Sequence, residues 1–250
     1  VQAGFTKMIP LNHPYMAAFL EYQQDFGGAN KVLVAIKNRD GTIYTKEFMD
    51  TLRQVTEEVF YIKGVERSSV TSLFTPNVRY NEVVEDGFRG GNIVSADFAG
   101  TPEQLDRVRE NLMKSDWVGR IVANDQSAAM VVATLQENDP DTGQRLDLQE
   151  VARTLEQIRG KYEKDGTTVH IIGFAKAMGD IAQGAAGVLI FFGVAFVITA
   201  VLLYWYSGSL MLTSLALICA IVPVIWLLGL LPVFGLGLDP MSILVPFLIF

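Results

Sequence analysis

The sequence predicts an α+β domain outside the membrane, with helices over one face of a sheet, followed by a fragment of an α-helical transmembrane bundle. Three observations lead there. All 20 Lys and Arg lie at or before Lys176, and of the 27 acidic residues only Asp239 lies beyond Asp180. Up to residue 180 the apolar residues recur at period two or period 3.6, the marks of half-buried strands and of amphipathic helices. Beyond residue 184 come uncharged runs long enough to cross a ~30 Å hydrocarbon core.

The elements of the first part follow in order. Lys31 to Lys37 (KVLVAIK) alternates as a strand, and Thr45 to Ile62 carries Phe48, Leu52, Val55, Val59 and Ile62 at helical spacing. Gly64 closes that helix, and Val65 to Thr71 returns as a strand, completing a β-α-β unit. A second helix is announced by Thr101, Pro102 and Gln104, a capping signature ahead of Leu105, Val108 and Leu112. Arg120 to Ala123 and Ala128 to Leu135 flank Asn124-Asp125-Gln126-Ser127 as a predicted hairpin. Asp147 to Tyr162 is a third helix, with Asp147 and Glu150 as its capping pair and Leu148, Val151, Leu155, Ile158 and Tyr162 inward. Thr168 to Ile172 is the last strand, so the β-α-β order occurs twice. Two such units fit a split β-α-β, ferredoxin-like sandwich over residues 1–175. That fold alone names no activity.

The second part is read from length and polarity. Residues 176–184 are expected to lead the chain into the membrane as a linker helix. Ala185 to Tyr206 holds 22 residues without a charge, twelve of them Leu, Ile, Val or Phe. On the insertion scale those twelve favour the bilayer by about 4–7 kcal/mol, with no central charge to offset it. Ser207-Gly208-Ser209 then forms a tight turn into Leu210 to Phe234, a second span antiparallel to the first. Gly208 supplies the turn, and Tyr204, Trp205 and Tyr206 beside it suit the headgroup level. Pro223, near the middle of the second span, frees one backbone carbonyl and predicts a kink packed on neighbouring helices rather than a hinge. Asp239 and Pro240 read as N-cap and first residue of a third span over 240–250, which reaches only ~15 Å, so the native chain is expected to continue. Asp239 as that cap is preferred to Asp239 as an ion-pathway carboxylate.

Chemistry is sparse. A formal net charge of −7, with no cluster of bases, excludes nucleic acid as a partner. The single cysteine, Cys219, forms no intrachain disulfide and leaves the redox compartment open. His13 and His170 lack companions for a metal site. Asp139, Asp141, Gly143 and Glu150 are spaced somewhat like a calcium loop, but Gly143 comes one position early and Arg145 fills the backbone-ligand slot, so a polar turn is expected. Gly87-Phe88-Arg89-Gly90-Gly91 is expected to be a turn and not a phosphate cradle. No catalytic residue, metal or cofactor is predicted, and the chain is not expected to be an enzyme.

The order of parts resembles the resistance-nodulation-division (RND) exporters, particularly the MMPL type. The most specific stretch is Gly229 to Phe250, GLLPVFGLGLDPMSILVPFLIF, similar to the end of the third span, the outer turn and the start of the fourth. Phe48 to Leu73, Asp116 to Leu135 and Gly173 before the membrane-bound helix add weaker matches. The resemblance implies that residues 1–175 form a periplasmic porter domain and that the apolar segments are spans two, three and early four. It further implies an inner-membrane, multi-pass, proton-driven exporter of hydrophobic or amphipathic substrates, often trimeric and with periplasmic or outer-membrane partner proteins. Its proton-relay carboxylates are expected beyond Phe250, so none is assigned here. The bias of Lys and Arg to the large domain does not oppose a periplasmic placement, because long translocated domains largely escape the positive-inside rule. Two other readings of the same parts are an RND-related subunit of protein secretion and a lipid- or sterol-sensing membrane protein without net transport.

Overall fold

The structure, a computed structural model, describes residues 13–15, 17–18, 21–22, 30–39, 41–85, 87–144, 146–164 and 166–233. Its contacts divide the chain into two compact units, one from Tyr22 to Gly179 and one comprising residues 1–21 with Asp180–Phe250.

The first unit is a mixed α/β domain built on a four-stranded antiparallel sheet. Its strands are β1 (Lys31–Asn38), β2 (Val65–Thr71), β5 (Ala128–Leu135) and β6 (Thr167–Gly173), in the order β2-β5-β1-β6. Strand β1 pairs with β5 from Lys31 opposite Thr134 to Lys37 opposite Ala128, and with β6 from Val32 opposite Gly173 to Asn38 opposite Thr167. Helix α1 (Lys46–Phe60) connects β1 to β2, and α3 (Leu148–Tyr162) connects β5 to β6. Each connection skips one strand, because β5 lies between β1 and β2 while β1 lies between β5 and β6. The two β-α-β units therefore interlock and neither can pair its own strands without the other.

Strand periodicity explains which face is covered. Val32, Val34 and Ile36 of β1 and Ala129, Val131, Ala133 and Leu135 of β5 are buried, and the residues between them are not. Against them lie Met49, Leu52, Val55 and Val59 of α1 and Val151, Leu155 and Ile158 of α3, in one apolar cluster. The helices are also tied directly, since Tyr162 Oη and Lys161 Nζ on α3 both donate to Glu58 Oε1 on α1.

Local chemistry sets the helix ends. Thr45 Oγ1 accepts from Phe48 N–H at the start of α1, and Asp147 Oδ1 accepts from the N–H groups of Gln149 and Glu150 at the start of α3. Helix α2 (Pro102–Met113) has the full reciprocal box, Thr101 Oγ1 accepting from Gln104 N–H while the Gln104 side chain accepts from Thr101 N–H. After α1 the chain reverses at Gly64, whose φ of +84° favours glycine. A Cβ there would also run into Leu146.

Two sequence expectations change. Gly87–Asn92 is not a turn but strand β4, paired antiparallel with β3 (Arg79–Val84) in a separate two-stranded ribbon. The glycines make room for the partner strand: the Tyr80 ring lies where a Cβ on Gly91 would meet it, and Asn81 and the Tyr80 carbonyl crowd Gly90. The predicted hairpin arm Arg120–Ala123 is reduced to a single bridge, Val122 to Ala129, flanked by Ala123 N–H donating to Ala128 O and Met130 N–H to Ile121 O.

The second unit contains the long apolar helices. Helix α4 runs unbroken from Phe174 to Ser207 and α5 from Leu210 to Val233. Each is long and apolar enough to cross a membrane, over Ile190–Ser207 and Leu210–Leu227. The expected linker at 176–184 is thus part of the same helix as the apolar run that follows it.

Candidate functional site

The polar chemistry of the second unit is concentrated at the turn between α4 and α5. Gly208 adopts φ +61°, the left-handed conformation that lets a helix end in one residue, and its N–H donates to Tyr204 O at 2.9 Å. Ser209 N–H donates to Ser207 Oγ at 3.3 Å, and Thr213 Oγ1 donates to Ser209 O at 3.0 Å. The Ser207 and Thr213 hydroxyls lie 3.1 Å apart. Backbone groups at the turn thereby find partners within the turn itself, the arrangement that a water-poor environment requires. Gly208 was identifiable from sequence as the turn residue. The Ser207–Thr213 hydroxyl pair was not, although two hydroxyl residues bracketing a turn in an otherwise apolar run were its signal.

Along α5, Thr213 and Val224 are buried and Leu217, Ala220 and Leu227 are half-buried, a stripe at spacings of four, three, four and three. Ile221 beside the stripe is half-buried as well, whereas Pro223, Ile225 and Trp226 are exposed. Pro223 does not interrupt the helix assignment, and it stands on the exposed side beside the stripe. Having no N–H, it leaves the carbonyl of Cys219, four residues earlier, without its usual donor. Trp205 and Tyr206 at the turn are 84% and 94% exposed. Asp239 and Pro240, the other sequence-predicted site residues, lie outside the described residues.

On the first unit, the sequence stretch spaced like a calcium loop is closed by a cation from the protein itself. Lys63 Nζ sits 2.8 Å from Asp139 Oδ2 and 3.7 Å from Asp141, and Gly143 N–H donates to Asp139 O. The bond to Lys63 holds the Asp139 carboxyl below the usual aspartate range and raises the lysine. Among the described residues no group of three or more His, Cys, Asp or Glu is placed to hold a metal ion. His13 lies beside Tyr15, and His170 is exposed on β6 opposite Ala35.

Two open clefts lie on the domain. One, about 200 Å³, is lined by Lys63, Asp139, Gln144 and Glu150 among others. The other, about 460 Å³, runs past Asn38, Thr45, Asp50, Tyr162 and Lys164. Neither gathers a nucleophile, a base and an orienting partner. On the outer side of the β3–β4 ribbon Val83 and Phe88 face each other across the strands, 80% and 87% exposed.

Fold and site together describe a mixed α/β domain followed by two helices long and apolar enough to cross a membrane, with the polar groups of the turn between them hydrogen-bonded to one another. Within that class, the family model for the MMPL family matches residues 12–249, nearly the whole chain, and the chain belongs to that family. No curated protein gave a match to it.

Proposed function

We propose that the chain is part of an RND-type, proton-motive-force-driven exporter of hydrophobic or amphipathic molecules, such as lipids or lipid-like compounds, rather than an enzyme. The observation that carries this reading is the family match across both the α/β domain and the two apolar helices. In this reading residues 1–175 are the periplasmic porter domain, 185–206 and 210–234 cross the bacterial inner membrane, and 240–250 begin a further span. The sheet order β2-β5-β1-β6, with a helix connecting each split pair, supports a ferredoxin-like assignment for the porter domain. Homotrimeric assembly and periplasmic or outer-membrane partners are part of the same proposal.

In this reading coupling to protons is the work of carboxylates within the membrane spans of the full-length protein. The test is made on the full-length protein in proteoliposomes with an imposed proton gradient. Replacing those carboxylates by their amides should abolish gradient-dependent movement of a fluorescent lipid. Transport that persists undiminished would refute proton coupling, and crosslinking that traps preprotein instead of lipid would favour protein secretion.

A further inference from the structure

Glycines in and just before α4 are of two kinds, and a close pair of the second kind locates a joint. Gly173, just before the helix, has φ +148°, and a Cβ there would lie 2.5 Å from Lys31 O. Gly179 has helical dihedrals, but a Cβ there would collide with the Ala152 side chain of α3. Those two glycines are dictated by their surroundings. Between them the first turns of α4 are fixed to the domain: Ala175 and Met178 are buried, and Lys176 Nζ pairs with Glu156 at 2.9 Å.

Gly184 and Gly187 are different. Neither has a positive φ, and among the described residues a Cβ on either would meet nothing within 4 Å. Within the described residues neither backbone conformation nor close approach accounts for glycine at these positions. What glycine still confers is a weaker helix, since each interior glycine is less favourable than alanine and sharp bends concentrate at glycine pairs. They lie one turn apart, just past the boundary at Gly179–Asp180 where the chain divides into its two compact units.

We propose that Gly184–Gly187 is a flexible joint in α4 that lets the α/β domain swing relative to the apolar part of the same helix. The clamp at 174–179 keeps the bending out of the domain, and the helix beyond 187, where the lone Gly193 has no second glycine within a turn of it, carries it as a rod. Why such motion is useful rests on the exporter reading; the joint itself does not.

The test uses the full-length protein in lipid nanodiscs, on a Cys219→Ser background with spin labels at Arg153→Cys and Val201→Cys, both exposed positions. The parent should give a broad interlabel distance distribution, and Gly184→Ala/Gly187→Ala a narrower one. Amide exchange over residues 180–190 should slow about fourfold per substitution, as the helix propensities require. Gly193→Ala, another glycine with nothing within 4 Å of its would-be Cβ, should leave the distribution unchanged. An unchanged width in the double variant would overturn the proposal. So would faster exchange or lower thermal stability, the signature of glycines that make room for another helix. Loss of proton dependence with the joint intact would count against the exporter reading alone.

Discussion

Exchanging the sizes of residues 152 and 179 tests whether α4 is locked to the domain by the contact described above. In Gly179→Ala the new Cβ would sit well inside 3.0 Å of the Ala152 Cβ, whereas carbon atoms rest at about 3.5–4.0 Å. The helices must separate by roughly 1 Å, an overpacking that costs about 1–3 kcal/mol. The separation loosens Met178 and Ala175 and lengthens the 2.9 Å Lys176–Glu156 pair. Local opening of 174–179 and of the facing side of α3 should then rise about 5- to 150-fold, since 1.4 kcal/mol is tenfold. Ala152→Gly alone loses about 1 kcal/mol of helix propensity and creates no clash. The double variant Ala152→Gly/Gly179→Ala moves the methyl group from one helix to the other, so it should recover to within about 1 kcal/mol of the parent, with a coupling term expected for residues in contact. Hydrogen exchange resolved over α3 and the start of α4 measures all four proteins. If Gly179→Ala exchanges like the parent, or the double variant is no better than Gly179→Ala, the clamp is not made by this contact.

Other consequences are simpler to read. Asp139 is held below its usual value by Lys63, so its contribution is present above pH 3.8 and is lost as pH falls through the depressed folded value. Lys63, raised by the same partner, contributes below its usual value of 10.5 and is lost as pH rises through the elevated one. Lys63→Met should therefore flatten the acid limb of domain stability below about pH 4, followed by tryptophan fluorescence, and a limb as steep as the parent's would remove the pair from the account. Asp147→Ala deprives the Gln149 and Glu150 N–H groups of their acceptor and should cost about 1 kcal/mol, read as a lower denaturant midpoint with unchanged slope; an unchanged midpoint would mean water caps α3 equally well. Val197→Asp on the exposed side of α4 adds about 3 kcal/mol to insertion, which the twelve large apolar residues outweigh. Adding Val194→Asp should bring the balance near zero, so glycosylation mapping should show the single variant inserted and the double one largely not.

Which features were legible in sequence follows from how directly a residue's surroundings repeat along the chain. Strand β5 reads plainly because AAMVVATL is a short, nearly unbroken apolar run, of which the structure buries every second residue fully. Helices α1 and α3 read plainly at period 3.6, and α3 down to its cap at Asp147. Strands β3 and β4 did not, because they form a two-stranded ribbon whose side chains are mostly exposed, so polar and apolar residues do not alternate along RYNEVV and GFRGGN. Three glycines in Gly87–Asn92 spoke for a turn, yet at Gly90 and Gly91 Tyr80 and Asn81 of the facing strand occupy the space, and Gly87 has a φ of +130° that favours glycine. Ile43, Leu73, Val78 and Ile93 are buried too but sit in connections between elements, where burial has no period. Of the site residues, Gly208 was visible because a turn between two apolar runs demands it. The hydroxyl pair across that turn and the clamp at Gly179 depend on partners that sequence spacing does not announce.

The glycines also bear on how motion would pass through the protein. A helix that enters an apolar phase directly from a folded domain transmits displacement only if it is stiff and its near end is held. Both conditions are met at 174–179, where a glycine allows intimate packing and an ion pair and two buried side chains hold it in place. The interlocked sheet extends that hold, because β6 feeds α4 and pairs with β1, which in turn pairs with β5. A pull on α4 would therefore be borne by the whole four-stranded sheet, unless the helix yields first where Gly184 and Gly187 weaken it. Stiff clamp, weak joint and stiff rod in sequence confine bending to a few residues, and that is a physical reason for glycine at 184 and 187 that packing within the described residues does not supply.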